Sequence, residues 1–575
     1  MASTYDKASL VMIPSGTKAS KIFSQKPVNG DGDFTFSRST AATRVNASGN
    51  IEKETQNLLL QSNSFDTTWT NPSSSITGGQ SGYDGSSNAW LVTIDAGSGS
   101  VRQDVSASGV QTFSVYAKAG NTDWVALYID SVSTDKPYVF FDLGNGVVGN
   151  NVNNNAINGD IEDIGGGWYR CSIIYTRSTN QVRIFPADSN GVLGSTGDTI
   201  YIQDAQLEQG LVARDYIETT TAAVEGGITD NVPRLDYTDS SCPALLLEPQ
   251  RTNLLPNSEY IGSSDWDKNG FGTGVVPVLT FGEESPEGLN NAYEITFNTG
   301  AGTSSGDQSN ISEGIGAQAA GDYTLSFWAK VSSGTDKIIA RGAGGYLYTT
   351  CNLTTEWQRF EITENLATAG SVYVDIGLRR GLANEPLNSS VTCQIYGIQM
   401  EAGSYATSYI PTYGTSVTRN VDIGYVSSAT DIIGQSEGTL FIEGFIEGTA
   451  PYNRRFLTIS DGGTANKIEI FNPSNGTKLR TACNVSNVVQ FDIQTGSILT
   501  AGEPFKLAVA YAENDVVMYI NGIQIGTDSS SSIPSTNKIN FGRGDNTFNA
   551  ESPIKQALLF KTRLSNEELA ALTTI

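Results

Sequence analysis

The chain repeats itself at domain length, and that constrains its fold more than any other feature. QNLLLQS at Gln56–Ser62 returns as RTNLLPNS at Arg251–Ser258, with Asn57 matching Asn253 and Ser62 matching Ser258. FSVYAK at Phe113–Lys118 returns as LSFWAK at Leu325–Lys330, and GWYR at Gly167–Arg170 as EWQR at Glu356–Arg359. The closest match sets QLEQGLVARDYI at Gln206–Ile217 against QMEAGSYATSYI at Gln399–Ile410. Four matches in one order, roughly 190 to 210 residues apart, lie far beyond solenoid repeat lengths. They define two copies of one domain, at 51–220 and 251–420.

Each copy reads as all-β. Phe113, Val115 and Ala117 share one face of a strand while Ser114, Tyr116 and Lys118 share the other; Leu325, Phe327 and Ala329 oppose Ser326, Trp328 and Lys330 in the same way. Tyr138–Leu143 followed by Asn145-Gly146 predicts a hairpin with a type I′ turn, because both central residues there need positive φ. Short strands without a 3.6-residue period point to antiparallel sandwiches.

Beyond residue 420 the texture changes. Thr439–Ile446 alternates as a strand, Phe505–Tyr511 and Val516–Ile520 flank a turn at Glu513–Asp515, and Asn521-Gly522 turns the chain into Ile523–Ile525. Ser565 and Glu568 form a capping box that opens one short helix. Residues 421–575 therefore read as a third, strand-rich region. Residues 1–50 are too short for a core of their own, so they must pack on something else or stay partly mobile. Residues 221–250 form a connector ending in the apolar run Ala244–Leu247.

Composition narrows the function. Among 575 residues there is no histidine, which removes Ser-His-Asp and Cys-His catalysis, imidazole zinc sites and the usual pH switch. With 35 Lys and Arg against 60 Asp and Glu, the formal charge is −25, which repels phosphate backbones and anionic membranes. Nucleic acid and membrane insertion are not expected. The N-terminus lacks a basic stretch followed by an apolar one, so synthesis in a cytosol without export by that route is expected. Five scattered cysteines do not make a disulfide framework. They read as buried small hydrophobes, with Cys351 and Cys393 the one pair to check for a bridge.

Several segments resemble tailed-phage fibre and head-spike proteins: Tyr5–Gly16, Phe34–Asn46, Asn231–Tyr237 and Leu245–Leu254. The twice-used Gln-x-Glu-x-Gly…Tyr-Ile pattern resembles the closing strand of carbohydrate-binding-type jelly-roll modules in virions. Residues 421–575, with Tyr519–Gly522 and Leu564–Leu569, are similar to concanavalin A-like, laminin-G-like domains. The resemblance implies an all-β chain of two jelly-roll modules plus a laminin-G-like sandwich, with residues 1–50 as an extended N-terminal virion-attachment arm. It further implies a homo-oligomer, a trimer being favoured, that contacts other virion proteins and adheres to host-surface glycans. Head and tail locations stay open.

Sugar binding needs an aromatic face for the C–H side of a pyranose and a few planar polar groups for its hydroxyls. If Val125, Leu127 and Ile129 face the core, Trp124 and Tyr128 lie together on the opposite side. Tyr116 with Lys118, and Trp328 with Lys330, occupy matching outward positions. These six are the candidate glycan-binding residues; the alternative is that their rings pack under a loop or against another subunit. Trp168 and Trp357 match in the repeat and read as core plugs, as do Trp69 and Trp266. Glu208 and Glu401, beside Gln206 and Gln399, are candidate ligands for a structural calcium, whose hard oxygen preference suits carboxylates. Alternatively they serve as hydrogen-bond partners for Arg170 or Arg359. No cofactor is required. Sequence spacing singles out no carboxylate pair for glycosidase chemistry, so a non-enzyme is expected. A ligand-free structural role and, less favoured, a glycan depolymerase are the alternatives.

Overall fold

Alternating side chains decide the layers. In the computed structural model, which describes residues 4–131, 134–343, 348–382, 388–446, 453–474, 478–496, 500, 502–546 and 552–575, antiparallel strands make up nearly all regular structure. Phe113, Val115 and Ala117, and Leu325, Phe327 and Ala329, are fully buried between sheets. Burying each of the larger side chains contributes about 1.5–3 kcal/mol. The chain is a series of antiparallel β-sandwiches.

In the first module one sheet runs Val101–Ala107, Thr179–Ser189, Trp124–Asp130, Tyr138–Asp142, Val147–Asn151; the other is centred on Val110–Ala119 between Trp168–Thr176 and Thr199–Gln209. The second module repeats the arrangement, with Gly321–Lys330 between Gln358–Leu366 and Ser390–Ala402. In both, the register against the closing strand shifts at the same place, between Val115 and Tyr116 and between Ser326 and Trp328. Gly397 stands at the second bulge with φ +61°, and a Cβ there would lie 3.1 Å from the Trp328 indole.

Residues 4–50 do pack on something else. Leu10–Met12 pairs with Ile554–Phe560, and Phe34–Ser37 pairs with Ile423–Val426 at the edge of the C-terminal sandwich. Leu10, Met12, Ile22, Phe34 and Phe36 sit in that sandwich's core, and Phe34 stacks on Phe541 at 4.4 Å. The segment expected as an attachment arm is thus part of the third sandwich, since its apolar strands have no core of their own. The connector joins it too: Arg234–Asp236 pairs with Ala244–Leu246, and Leu245 pairs with Ile554. Buried charges tie these crossings together. Asp422 accepts from Arg38 at 3.1 Å and is paired with Arg234, while Glu248 bridges Arg234 at 2.6 Å and Arg419 at 2.7 Å.

Local expectations fare unevenly. Asn521 and Gly522 both take positive φ between paired Ile520 and Ile523, and the capping box of Ser565 and Glu568 opens the helix Asn566–Thr573. At Asn145-Gly146 the turn is different: only Gly146 has positive φ. The Asp142 carboxylate accepts from the Gly144 and Asn145 amides and organises a longer loop, overriding the dipeptide preference. Cys351 and Cys393 are both buried and carry free thiols, so the bridge considered from sequence is not formed.

Candidate functional site

The repeated polar residues build a clasp in each module. Asn57 donates to Ala205 and Ile217 carbonyls, and Asn253 to those of Ile398 and Ile410. Gln206 accepts from the Ile217 amide at 2.8 Å and donates to Glu208; Gln399 accepts from Ile410 at 2.7 Å and donates to Glu401. The hydroxyls of Ser62 and Tyr216, and of Ser258 and Tyr409, lie 2.6 Å apart. Trp69 and Trp266 are buried and bonded through Nε1 to the carbonyls of Gln61 and Asn257. Buried polar groups are kept because each has a partner.

This accounts for the two candidate metal ligands. Glu208 is buried and accepts from the Arg214 amide at 3.0 Å; Glu401 is buried and accepts from the amide and hydroxyl of Thr407, both at 2.7 Å. Burial raises both carboxyls above the ordinary range. Glu208 Oε1 and both Glu401 oxygens hold the chain's own groups, and no set of three or more Cys, Asp or Glu among the described residues is arranged to hold a metal ion. Nor are they hydrogen-bonded to Arg170 and Arg359, which instead donate to Ser114 and Ser326 and to the carbonyls of Arg214 and Thr407.

The candidate sugar-binding residues divide three ways. Tyr116 is buried, its ring stacked on Tyr83 at 4.0 Å, with Arg170 at 5.3 Å and Trp168 beneath the same cap. That ring does not face solvent; a loop covers it, and Lys118 beside it donates to the Gly166 carbonyl. Trp124 and Tyr128 lie half-buried on the outer face of their sheet, as alternation required, packed with Tyr138, Phe140 and Phe185. Arg183 and Lys136 stand 5.2 and 5.9 Å from the Tyr128 ring, and both are paired with Asp130 at 2.6 Å. Two cations thus stand against the Tyr128 ring.

Trp328 is placed differently. Half-buried, it lies between two clefts. One, of about 340 Å³, brings Trp328 and Arg359 together with Arg44, Asp236, Glu361 and Tyr405. The other, of about 280 Å³, joins Trp328 to Lys330, Trp357, Asn50 and Glu284. The Arg359 guanidinium stands 4.7 Å from the Trp328 ring, and Lys330 stands 4.9 Å from that of Trp357. Tyr396 and Tyr409 support Trp328 from the core side at 6.2 and 5.7 Å. Trp357, read from sequence as a core plug like Trp168, is half-exposed and lines the cleft. Arg359 was likewise assigned only a partner's role. Nothing in the repeat distinguishes these positions from Trp168 and Arg170; the difference comes from Tyr83, outside the matched segments.

No family model matches the chain, and no curated protein matches it. Among solved structures, it is similar to the CBM40 of the Ruminococcus gnavus IT-sialidase, at 13% identity over 26% of this chain and 88% of that one, with a TM-score of 0.23. It is similar to the CBM22-1–CBM22-2 tandem domain of Paenibacillus barcinonensis Xyn10C, at 11% identity over 59% and 94%, with a TM-score of 0.22. A third similarity is to domain 4 of AbnA, an extracellular arabinanase of Geobacillus stearothermophilus in complex with arabinotriose, at 10% identity over 27% and 73% and a TM-score of 0.23.

Proposed function

We propose that this chain is a non-catalytic glycan-binding protein of a phage virion, a fibre or spike subunit whose second module holds host-surface sugar against Trp328. The observation that carries the reading is the half-exposed Trp328 ring between two polar clefts, with Arg359 and Lys330 at its two sides. An indole offers a flat apolar surface to the C–H face of a pyranose, and a guanidinium and an ammonium donate to hydroxyls around it. One such site binds weakly. Several copies in a homo-oligomer, a trimer by resemblance, gain roughly 10²–10⁴-fold in avidity when they engage together. The virion setting is supported by the likeness of Tyr5–Gly16, Phe34–Asn46, Asn231–Tyr237 and Leu245–Leu254 to phage fibre and spike segments.

A glycan array and a whole-cell binding assay test the reading. The wild-type chain is expected to bind a defined set of glycans, and Trp328→Ala to lose them while melting as a folded protein. Unchanged binding by Trp328→Ala overturns the assignment of the site. New reducing ends after incubation with host polysaccharide overturn the non-catalytic reading. For the first module a scaffolding role is favoured by one observation, the Tyr83 ring closed over Tyr116.

A further inference from the structure

The largest of the clefts described here, about 440 Å³, lies between the two modules. Arg170 stands on its first-module side, the counterpart in the repeat of Arg359. It is only 8% exposed, yet both of its hydrogen bonds leave from Nη2, and its buried Nε has no partner. Glu162 is its direct cross-strand neighbour and Asp160 lies two residues along the same face, both exposed, but neither forms an ion pair with it. The buried Glu208 carboxylate acts on Arg170 electrostatically without a hydrogen bond between them, and the Arg170 guanidinium stands 5.3 Å from the Tyr116 ring. Arg170, Asp160 and Glu162 all line the cleft. Phe281 and Leu289 from the second module supply an apolar surface facing them.

The two walls are stapled. Ala213 and Gly288 line the cleft, and the residues next to them, Arg214 and Glu287, form a buried ion pair at 3.0 Å. Lys53 extends the staple by pairing with Glu287 and, at 2.5 Å, with Glu259. The cleft is therefore held open at a set width, which lowers the ordering cost of filling it.

From this arrangement we infer that the inter-module cleft is a second saccharide site, specific for a neutral sugar with adjacent hydroxyls. A guanidinium donates only, a carboxylate accepts only, and neighbouring hydroxyls do both, so a vicinal diol satisfies Arg170 together with Asp160 or Glu162. Phe281 takes the C–H face of the ring. A uronate, sulfated or sialylated sugar would bring its charge beside two carboxylates and is disfavoured. The choice of ligand class rests on the glycan-binding reading above, but the site is independent of Trp328.

Surface plasmon resonance on the full chain tests this, with a panel of neutral gluco-, galacto-, xylo- and arabino-oligosaccharides and a matching anionic panel. In the Trp328→Ala background, at least one neutral oligosaccharide is expected to bind still. Adding Leu289→Trp, which fills the cleft, should abolish that binding. Adding Asp160→Asn with Glu162→Gln, both exposed and nearly isosteric, should weaken it at least tenfold without moving the melting temperature. If Trp328→Ala alone removes all binding, the second site is overturned while the Trp328 reading stands. Residual binding that ignores both sets of cleft substitutions, or that selects anionic sugars, also overturns it. Cleft-dependent binding in a chain for which Trp328→Ala is silent supports the second site and counts against the first.

Discussion

Tyr83 lies flat on Tyr116, ring centroids 4.0 Å apart and planes within 10° of parallel, and its hydroxyl donates to Asp204 at 2.9 Å. This one contact distinguishes the two modules at their matched outward positions. It seals in the first the aromatic position that the second leaves open at Trp328. Tyr83→Ala should uncover Tyr116 and cost about 1–3 kcal/mol, the stacking itself accounting for about 0.5–1.5. Urea unfolding measures the cost, and acrylamide quenching of tyrosine fluorescence reports the exposure.

The Gln-x-Glu clasp should be worth similar amounts in both modules. Gln206→Ala leaves the buried Ile217 amide without its acceptor, and Gln399→Ala does the same at Ile410. Each buried group left unpaired costs about 1–3 kcal/mol. Both variants should lower the unfolding midpoint in urea by comparable amounts. A chelator should leave the wild-type midpoint unchanged, because Glu208 Oε1 and both Glu401 oxygens are taken up by the chain's own groups.

The staple between modules makes an acid-sensitive contribution. Burial alone would raise the Glu287 carboxyl, but Lys53 and Arg214 outweigh it and hold the group at about 2, below the ordinary 4.5. A folded-state value depressed in this way contributes stability that is complete above the ordinary value and is lost as pH falls through the folded one. Unfolding free energy followed from pH 5 downwards should therefore decline through the 4.5 to 2 window. In Glu287→Gln that decline should be shallower, with lower stability at neutral pH.

Cys351 and Cys393 should stay unreactive in the folded state. Burial pushes the Cys351 thiol up to about 12 and raises that of Cys393 as well. A thiolate-seeking reagent should label neither before denaturation, and a reductant should not shift the melting temperature. Fast labelling of either in the native protein would contradict their burial.

Duplication, the all-β class and the inward faces of the repeated strands were legible in the sequence, because strand alternation and recurring segments are local patterns. Phe113, Val115 and Ala117 declare their side by spacing alone. What a sheet's outer face meets is not local. Tyr116 and Trp328 share a motif, and only the loop that carries Tyr83 decides that one is sealed while the other lines a cleft. Trp357 and Arg359 were missed for the same reason, their repeat partners being buried by contacts from outside the motif.

The placement of residues 1–50 was also beyond local reading. Two of their strands, Leu10–Met12 and Phe34–Ser37, pair with residues more than 380 positions away, at Ile554–Phe560 and Ile423–Val426. Sequence alone determined that so short a segment either packs on another core or stays partly mobile, since it cannot build an independent core of its own. Tertiary structure decided which core receives it, because the choice depends on a free strand edge and on the buried Arg38–Asp422 pair, and neither exists until the chain has folded.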